Sequence, residues 1–260
     1  ELLPGGIVYY SEDTHYSVSK NLRMLGMRNI MLKAQPSGEL DYDDLRETLR
    51  IHRDAPPIIF ATIGTTMTEG VDDVARIKEI LQDLAIHSSY VHCDAALSGM
   101  TLPFVEGAPL YDFRAGIDSI SISGHKFIGA PMPCGIVLAK KRYVDRIARS
   151  IEYVGTLDTT LTGSRNGIAP LFLWYALKTI GEEGFRQDVV ACHKLARYAV
   201  ERLRKAGLDA WRNPFAFTVV FPRPPASVLE KWQIAVQGRR AHIIVMPTVR
   251  KEQIDELVDD

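Results

Sequence analysis

The stretch "SISGHKFIGAPMPCG", residues 121–135, ends a strand pattern on a lysine and continues into a loop stiffened by glycine and proline. Strict period-two alternation through Ser119–Ser123 predicts a strand, with Ile120 and Ile122 on one face and Ser121 and Ser123 on the other. Gly124 is expected to allow close backbone approach, and Pro131 and Pro133 to rigidify the loop after Lys126. A lysine is ordinarily solvated, so one built into a stiff strand end needs a task.

Outward from this stretch, strand-length apolar runs alternate with helical patterns. "GIVYYS" (6–11), "NIMLKA" (29–34), "PPIIFATIG" (56–64), "YVHCDAA" (90–96) and "CGIVLAK" (134–140) read as strands. Helical spacing marks 15–27, 40–52, 74–84 and 141–153, with Asp72 or Asp73 available to cap the third of these. The alternation predicts an α/β fold, a mostly parallel sheet flanked by helices. Residues 1–160 are expected to form part of a large cofactor-binding domain. Residues 161–260 read as a linking helix (167–206, broken near Gly181 and Gly184) and a smaller C-terminal α+β domain, in which strands "FAFTVVF" and "AHIIVMP" flank a helix over 226–237. The opening "ELLPGGIVYYS" enters a strand at once, which suggests a start inside a fold.

A net charge of −1 without basic runs argues against nucleic acid and anionic membranes as partners. Three dispersed cysteines favour a reducing, cytoplasmic setting over a disulfide framework. His92 and Cys93 are adjacent and face opposite sides of a strand, so no metal site is expected there or elsewhere.

Sites in open α/β sheets form at the carboxyl ends of strands. The ends here carry Ser11 and then His15, Thr65 and Thr66, Asp94 with Ala96, and Ser123, His125 and Lys126. Each alone would be a cap, a turn residue or a surface lysine. Together on one rim, a lysine amine, a carboxylate, a small residue and an imidazole suit pyridoxal 5'-phosphate. The lysine can form a Schiff base, and the carboxylate can hold a protonated ring nitrogen.

The segments "SEDTHYSVSK" (11–20), "PIIFATIGTT" (57–66), "HCDAALSGM" (92–100), "SISGHKFIGAPMPCGIVLAKK" (121–141), "TGSRNG" (162–167) and "HIIVMP" (242–247) resemble the group II pyridoxal-phosphate-dependent amino-acid decarboxylases along the whole chain. The bacterial histidine decarboxylases of that group are most similar, and plant serine decarboxylases nearly as similar. The resemblance implies the aspartate aminotransferase-like fold type I and a homodimer. It makes Lys126 the Schiff-base lysine and Asp94 the partner of the ring nitrogen. Ala96 and His15 would lie on the two ring faces, His15 also near substrate, with Thr65 by the ring hydroxyl. Ser123 and His125 would lie at the phosphate, and Ser164 would reach the partner subunit's phosphate. The implied reaction is decarboxylation of an L-amino acid, histidine first and serine as the alternative. The resemblance also implies a small-residue phosphate loop ahead of "YYS", so these 260 residues alone are expected to bind the cofactor weakly. That expectation supports one reading of another class, an inactive homologue serving only to pack or dimerise. "GSRNG" continues with Ile168, where the family usually has histidine.

Overall fold

The computed structural model describes residues 3–151, 155–160 and 163–260. Its larger sheet has six strands: β1 (Ile7–Ser11), β2 (Asn29–Leu32), β3 (Pro57–Thr62), β4 (Tyr90–Asp94), β5 (Ser119–Ser123) and β6 (Gly135–Ala139). Their order is β2-β1-β3-β4-β5-β6, and every pairing is parallel except β5 with β6. Helices α1 (Ser17–Met24), α2 (Tyr42–Ile51) and α3 (Val74–Asp83) make the crossovers between the parallel strands. From β1 the chain passes outward to β2 and then returns to the other side at β3, so the order reverses beside β1. A crevice at the carboxyl ends follows from that reversal.

Period-two alternation sorts the sheet's two faces. Ile59, Val91, Cys93 and Ile120 pack against Leu45, Leu49, Ile77 and Leu81 of α2 and α3 in the main core. The opposite face buries Val8 and Tyr10 under Val18 and Leu22 of α1, with Ile58 and Phe60 beside them. The helices start where carboxylates satisfy free amide groups: Asp41 accepts from Asp43 N and Asp44 N, and Asp73 from Ala75 N and Arg76 N. Asp72 turns inward and accepts from Leu40 N and Thr62 N, both at 2.7 Å.

The expected helix over 141–153 is shorter. α4 spans Lys141–Ile147, and a small hairpin of β7 (Arg149–Ile151) and β8 (Thr156–Asp158) comes next; residues 152–153 lie outside the described residues. α5 (Ile168–Lys205) is two helical runs joined by a kink at Gly181, whose φ of 66° and ψ of 175° are non-helical. Glycine tolerates that conformation, which a side chain would strain. Gly184 stays helical, so the break is at one glycine. A second sheet of β9 (Thr218–Pro222), β10 (Ala235–Gln237) and β11 (Arg240–Ile244) is antiparallel in the order β10-β11-β9. It carries α6 (Ala226–Trp232) and α7 (Lys251–Asp259). The expected helix over 226–237 stops early because Gln233 turns left-handed and Ala235 enters the sheet. Phe217, Val219 and Phe221 pack with Phe185, Val189 and Ala196 of α5 in a second core. Residue 161, where the smaller domain is expected to begin, lies outside the described residues.

Candidate active site

A cavity of about 280 Å³ opens at the carboxyl ends of β1, β3, β4 and β5. His15, Ser17, Thr62, Gly64, Thr66, Asp94, Ala96, Ser123, His125 and Lys126 all line it. A larger recess of about 580 Å³ at the amino ends of the strands is lined by such residues as Leu3, Gly6, Met27, Arg28 and Ile58. Among the described residues no lysine or carboxylate lines that recess, whereas Lys126 and Asp94 meet in the smaller cavity.

Lys126 sits just past β5, in a turn closed by amide bonds from Gly129 N to its carbonyl (3.0 Å) and from Ala130 N to Gly124 O (2.9 Å). Burial holds its amine below the ordinary lysine range, against the opposing charges of Asp94 and Glu69. Among the described residues its Nζ has no hydrogen-bond or salt-bridge partner. A half-buried amine without a partner, shifted toward its neutral form, is equipped as a nucleophile. Gly124 allows a close approach of the chain's own side chains: a Cβ there would stand 2.6 Å from both Cys134 Sγ and Leu173 Cδ2, so glycine admits the residue just ahead of β6 and a leucine of α5.

Asp94 ends β4. Its Oδ1 accepts from Ala96 N at 3.1 Å and, at the 3.5 Å limit, from Ser121 Oγ. Its other oxygen accepts no hydrogen bond from the described residues. The parallel register sets His92 beside Ser119 and Asp94 beside Ser121, so all four side chains share one face. His92 Nδ1 lies 2.8 Å from Ser119 Oγ, and its Nε2 3.2 Å from Ser121 Oγ. Burial holds this imidazole below the usual histidine range, opposed by the Asp94 charge. A neutral ring accepting at Nδ1 and donating at Nε2 lets Ser121 spend its proton on Asp94. Periodicity could have shown that His92 and Asp94 share a face, but not that two serines of the next strand would complete a chain.

His15 follows β1, and its Nδ1 accepts from Ser17 Oγ (2.7 Å) and Ser17 N (3.3 Å). Two donors at Nδ1 leave the proton of the neutral ring on Nε2. Its ring is tilted against Tyr16, with centroids 4.4 Å apart. Ser123 and His125 line the cavity, and His125 Nδ1 accepts from Cys134 N at 3.2 Å. Thr65 departs from expectation: it is 1 % exposed, and its hydroxyl bonds Thr68 Oγ1 (3.0 Å) and accepts from Gly70 N (2.9 Å) inside its own loop. Thr66 and Gly64 face the cavity instead, with Thr62. Ser164 is exposed and outside the cavity of its own chain.

Residues 3–211 match the family model of the pyridoxal-dependent decarboxylase conserved domain. The chain belongs to the pyridoxal-dependent decarboxylases. A histidine decarboxylase of Mesorhizobium japonicum is 47 % identical over 259 residues, covering 100 % of this chain and 70 % of the relative. That of Morganella morganii is 47 % identical over 266 residues, again covering 100 % of this chain and 70 % of the relative. L-Methionine decarboxylase of Streptomyces sp. 590 superposes with a TM-score of 0.87 at 26 % identity, covering 98 % of this chain and 69 % of that one. Glutamate decarboxylase of Lactobacillus brevis, at 20 % identity and a TM-score of 0.84 over 98 % of this chain and 64 % of that one, shares the fold. The decarboxylase therefore has fold type I architecture and uses pyridoxal 5'-phosphate. The donor set of the cavity fits that group: an unpartnered amine, a carboxylate with one open oxygen, and hydroxyl and imidazole donors around a small alanine. Among the described residues no cluster of three potential metal ligands occurs. No described helix is long and apolar enough to cross a membrane.

Proposed function

We propose that this decarboxylase converts L-histidine to histamine and carbon dioxide at the cavity around Lys126. The observation that carries the substrate is identity of 46–47 % to histidine decarboxylases across the entire chain. The bound cofactor supplies an electron sink for the pair left at Cα when carbon dioxide departs. The residues of the chain then divide the work. Lys126, held toward its neutral form by burial, is the amine that would fix the cofactor's carbonyl carbon. Asp94, anchored through one oxygen by Ala96 N, keeps the other for a ring N–H, and its negative charge favours the protonated ring. Ala96 offers a flat, small contact, and His15, oriented by Ser17, supplies the opposite wall and a substrate contact. Ser123 and His125 are donors suited to a phosphate, and Thr66 takes the place by the ring hydroxyl that the resemblance gives to Thr65.

The test is product analysis. Purified enzyme with pyridoxal 5'-phosphate is offered histidine, serine, methionine and glutamate separately, and amine and carbon dioxide are quantified. Histamine and carbon dioxide in equal amounts are expected, with none from Lys126→Ala. Ethanolamine as the main product would reassign the substrate to serine, and turnover by Lys126→Ala would remove the site.

The first half of α5 supports assembly as a homodimer. Leu171, Trp174, Tyr175 and Leu177 are exposed there before the Gly181 break. A contiguous apolar face of this kind is covered in stable proteins. Ser164, just ahead of the same helix, is then available to a neighbouring subunit. A division into larger and smaller domains near residue 160 is supported by the presence of two cores, the second of which also takes in Phe127 and Ile128 of the larger part. The three cysteines are free, and Cys93 and Cys192 are buried, which suits a reducing cytoplasm.

A further inference from the structure

Glu69 is a buried carboxylate in a place where the catalytic reading gives it no task. It is 1 % exposed and held at φ 54°, a left-handed conformation that glutamate rarely adopts. Among the described residues it forms no salt bridge and its hydrogen-bond partners are all neutral, while its charge acts at longer range on Lys126 and Arg212. Its Oε2 accepts from Phe217 N (2.8 Å), Thr218 N (2.8 Å) and Thr218 Oγ1 (2.7 Å), and its Oε1 from Ser98 Oγ (3.1 Å). Four donors and no acceptor match the ionised carboxylate. Burial pushes the group up from the usual carboxylate range, and those four bonds oppose the shift.

The partners lie on both sides of the molecule. Phe217 and Thr218 lead into β9 of the smaller sheet, and Ser98 lies in the turn after Asp94. Glu69 itself belongs to the tight loop that leaves β3, closed by Gly64 N and Thr65 N on Gly70 O and by Glu69 N on Thr65 O. Gly64 and Thr66 of that loop form cavity wall. A Cβ on Gly64 would stand 2.2 Å from Ser98 Oγ, so the hydroxyl that Glu69 holds also fixes how near this wall approaches. Asn213 reinforces the same seam by donating to Ser37 O (2.7 Å) and Thr68 O (2.9 Å).

We propose that Glu69 is a positioning residue that clamps the smaller sheet to the Gly64–Thr66 wall and so sets cofactor retention. It touches neither cofactor nor substrate and acts through Ser98 and the loop. The inference rests on the cofactor occupying the Lys126 cavity.

The experiment measures the pyridoxal 5'-phosphate dissociation constant by protein fluorescence quenching, with Tm and the kcat and KM for histidine. Wild type, Glu69→Ala, Glu69→Gln, Thr218→Val and Lys126→Ala are compared as purified proteins. Glu69→Ala raises the dissociation constant about tenfold or more, about 1.4 kcal/mol by the affinity relation. Glu69→Gln stays within about threefold, because its amide oxygen can accept at the β9 end while its NH₂ donates to Ser98 Oγ. Thr218→Val loses one hydroxyl donor and raises the constant about threefold, so the proposal stays testable if Glu69→Ala fails to fold. A constant within twofold of wild type in folded Glu69→Ala, or in Thr218→Val if the alanine variant is unfolded, overturns the proposal even if Tm falls. Lys126→Ala separates the two readings. If it binds the cofactor as wild type does, the cofactor lies elsewhere, and the site assignment fails together with the clamp.

Discussion

Replacing Asp72 with asparagine sets burial against hydrogen bonding in one measurement. Asp72 is 1 % exposed and straps Leu40 N and Thr62 N, one to each oxygen, at 2.7 Å. Burial raises its pKa from 3.8 to about 7, the two amide bonds pull it down, and the charges of Glu39 and Asp13 push it up further. A folded-state value above the unfolded one means that the folded protein binds the proton more tightly. The stabilisation is therefore full at low pH and is lost as pH rises from 3.8 through about 7. The portion between pH 5 and pH 8 is worth about 2.6 kcal/mol. An unfolding entropy of about 2.1 cal/mol/K per residue turns this into a Tm change of ~5 °C for a chain of this length. Asparagine does not titrate and leaves one strapped amide facing an NH₂ group, so it is the less stable protein throughout. The expected result is a Tm gap between wild type and Asp72→Asn that widens by ~5 °C between pH about 8 and pH about 5. Melting both proteins by circular dichroism across that range cancels the titrations they share. A gap that stays constant, or narrows toward low pH, would refute the reasoning and show that the two amides outweigh burial.

Asp94→Asn keeps the Ala96 contact but cannot favour a protonated ring, so kcat for histidine falls by roughly two orders of magnitude or more while cofactor is retained. Stopped-time histamine assays check this, and a kcat within threefold of wild type contradicts it. Gly64→Ala adds a Cβ 2.2 Å from Ser98 Oγ at φ 101° and destabilises the protein by about 1–3 kcal/mol, read as a lowered denaturant midpoint. An unchanged midpoint would mean that the loop relaxes freely. Trp174→Glu places a charge in the exposed apolar face of α5 and shifts sedimentation from dimer toward monomer; a monomeric wild type would show that this face has another use.

The sheet was readable because parallel strands buried on both faces leave dense apolar runs, and the crossover helix α3 spaces Val74, Ile77, Leu81 and Leu84 by 3, 4 and 3 positions. Their carboxyl ends followed from topology, which is why His15, Asp94, Ala96, Ser123, His125 and Lys126 could be gathered from sequence and indeed line one cavity. Failures came where a single backbone torsion decides. Thr65 and Thr66 are adjacent, and only the turn through Gly64 at φ 101° settles which one faces inward. The helix expected over 226–237 was cut by a left-handed Gln233, for which composition gives no sign. Glu69 was illegible for another reason: its partners at Phe217 and Thr218 lie 148 and 149 positions away, and no local pattern encodes so distant a bond.

The same separation has a consequence for synthesis. Among the described residues, all that line the cavity lie between His15 and Lys126, whereas the groups that clasp Glu69 from the smaller sheet begin at Phe217. A ribosome adding about 5–20 residues per second needs roughly 5–20 s to cross the stretch between them. During that interval a nascent chain can have its lysine and aspartate in register while the buried carboxylate still lacks its later donors. The pocket is thus made early and latched late, and a chain that stalls in between displays an ionised Glu69 and a bare α5 face to whatever chaperone is near.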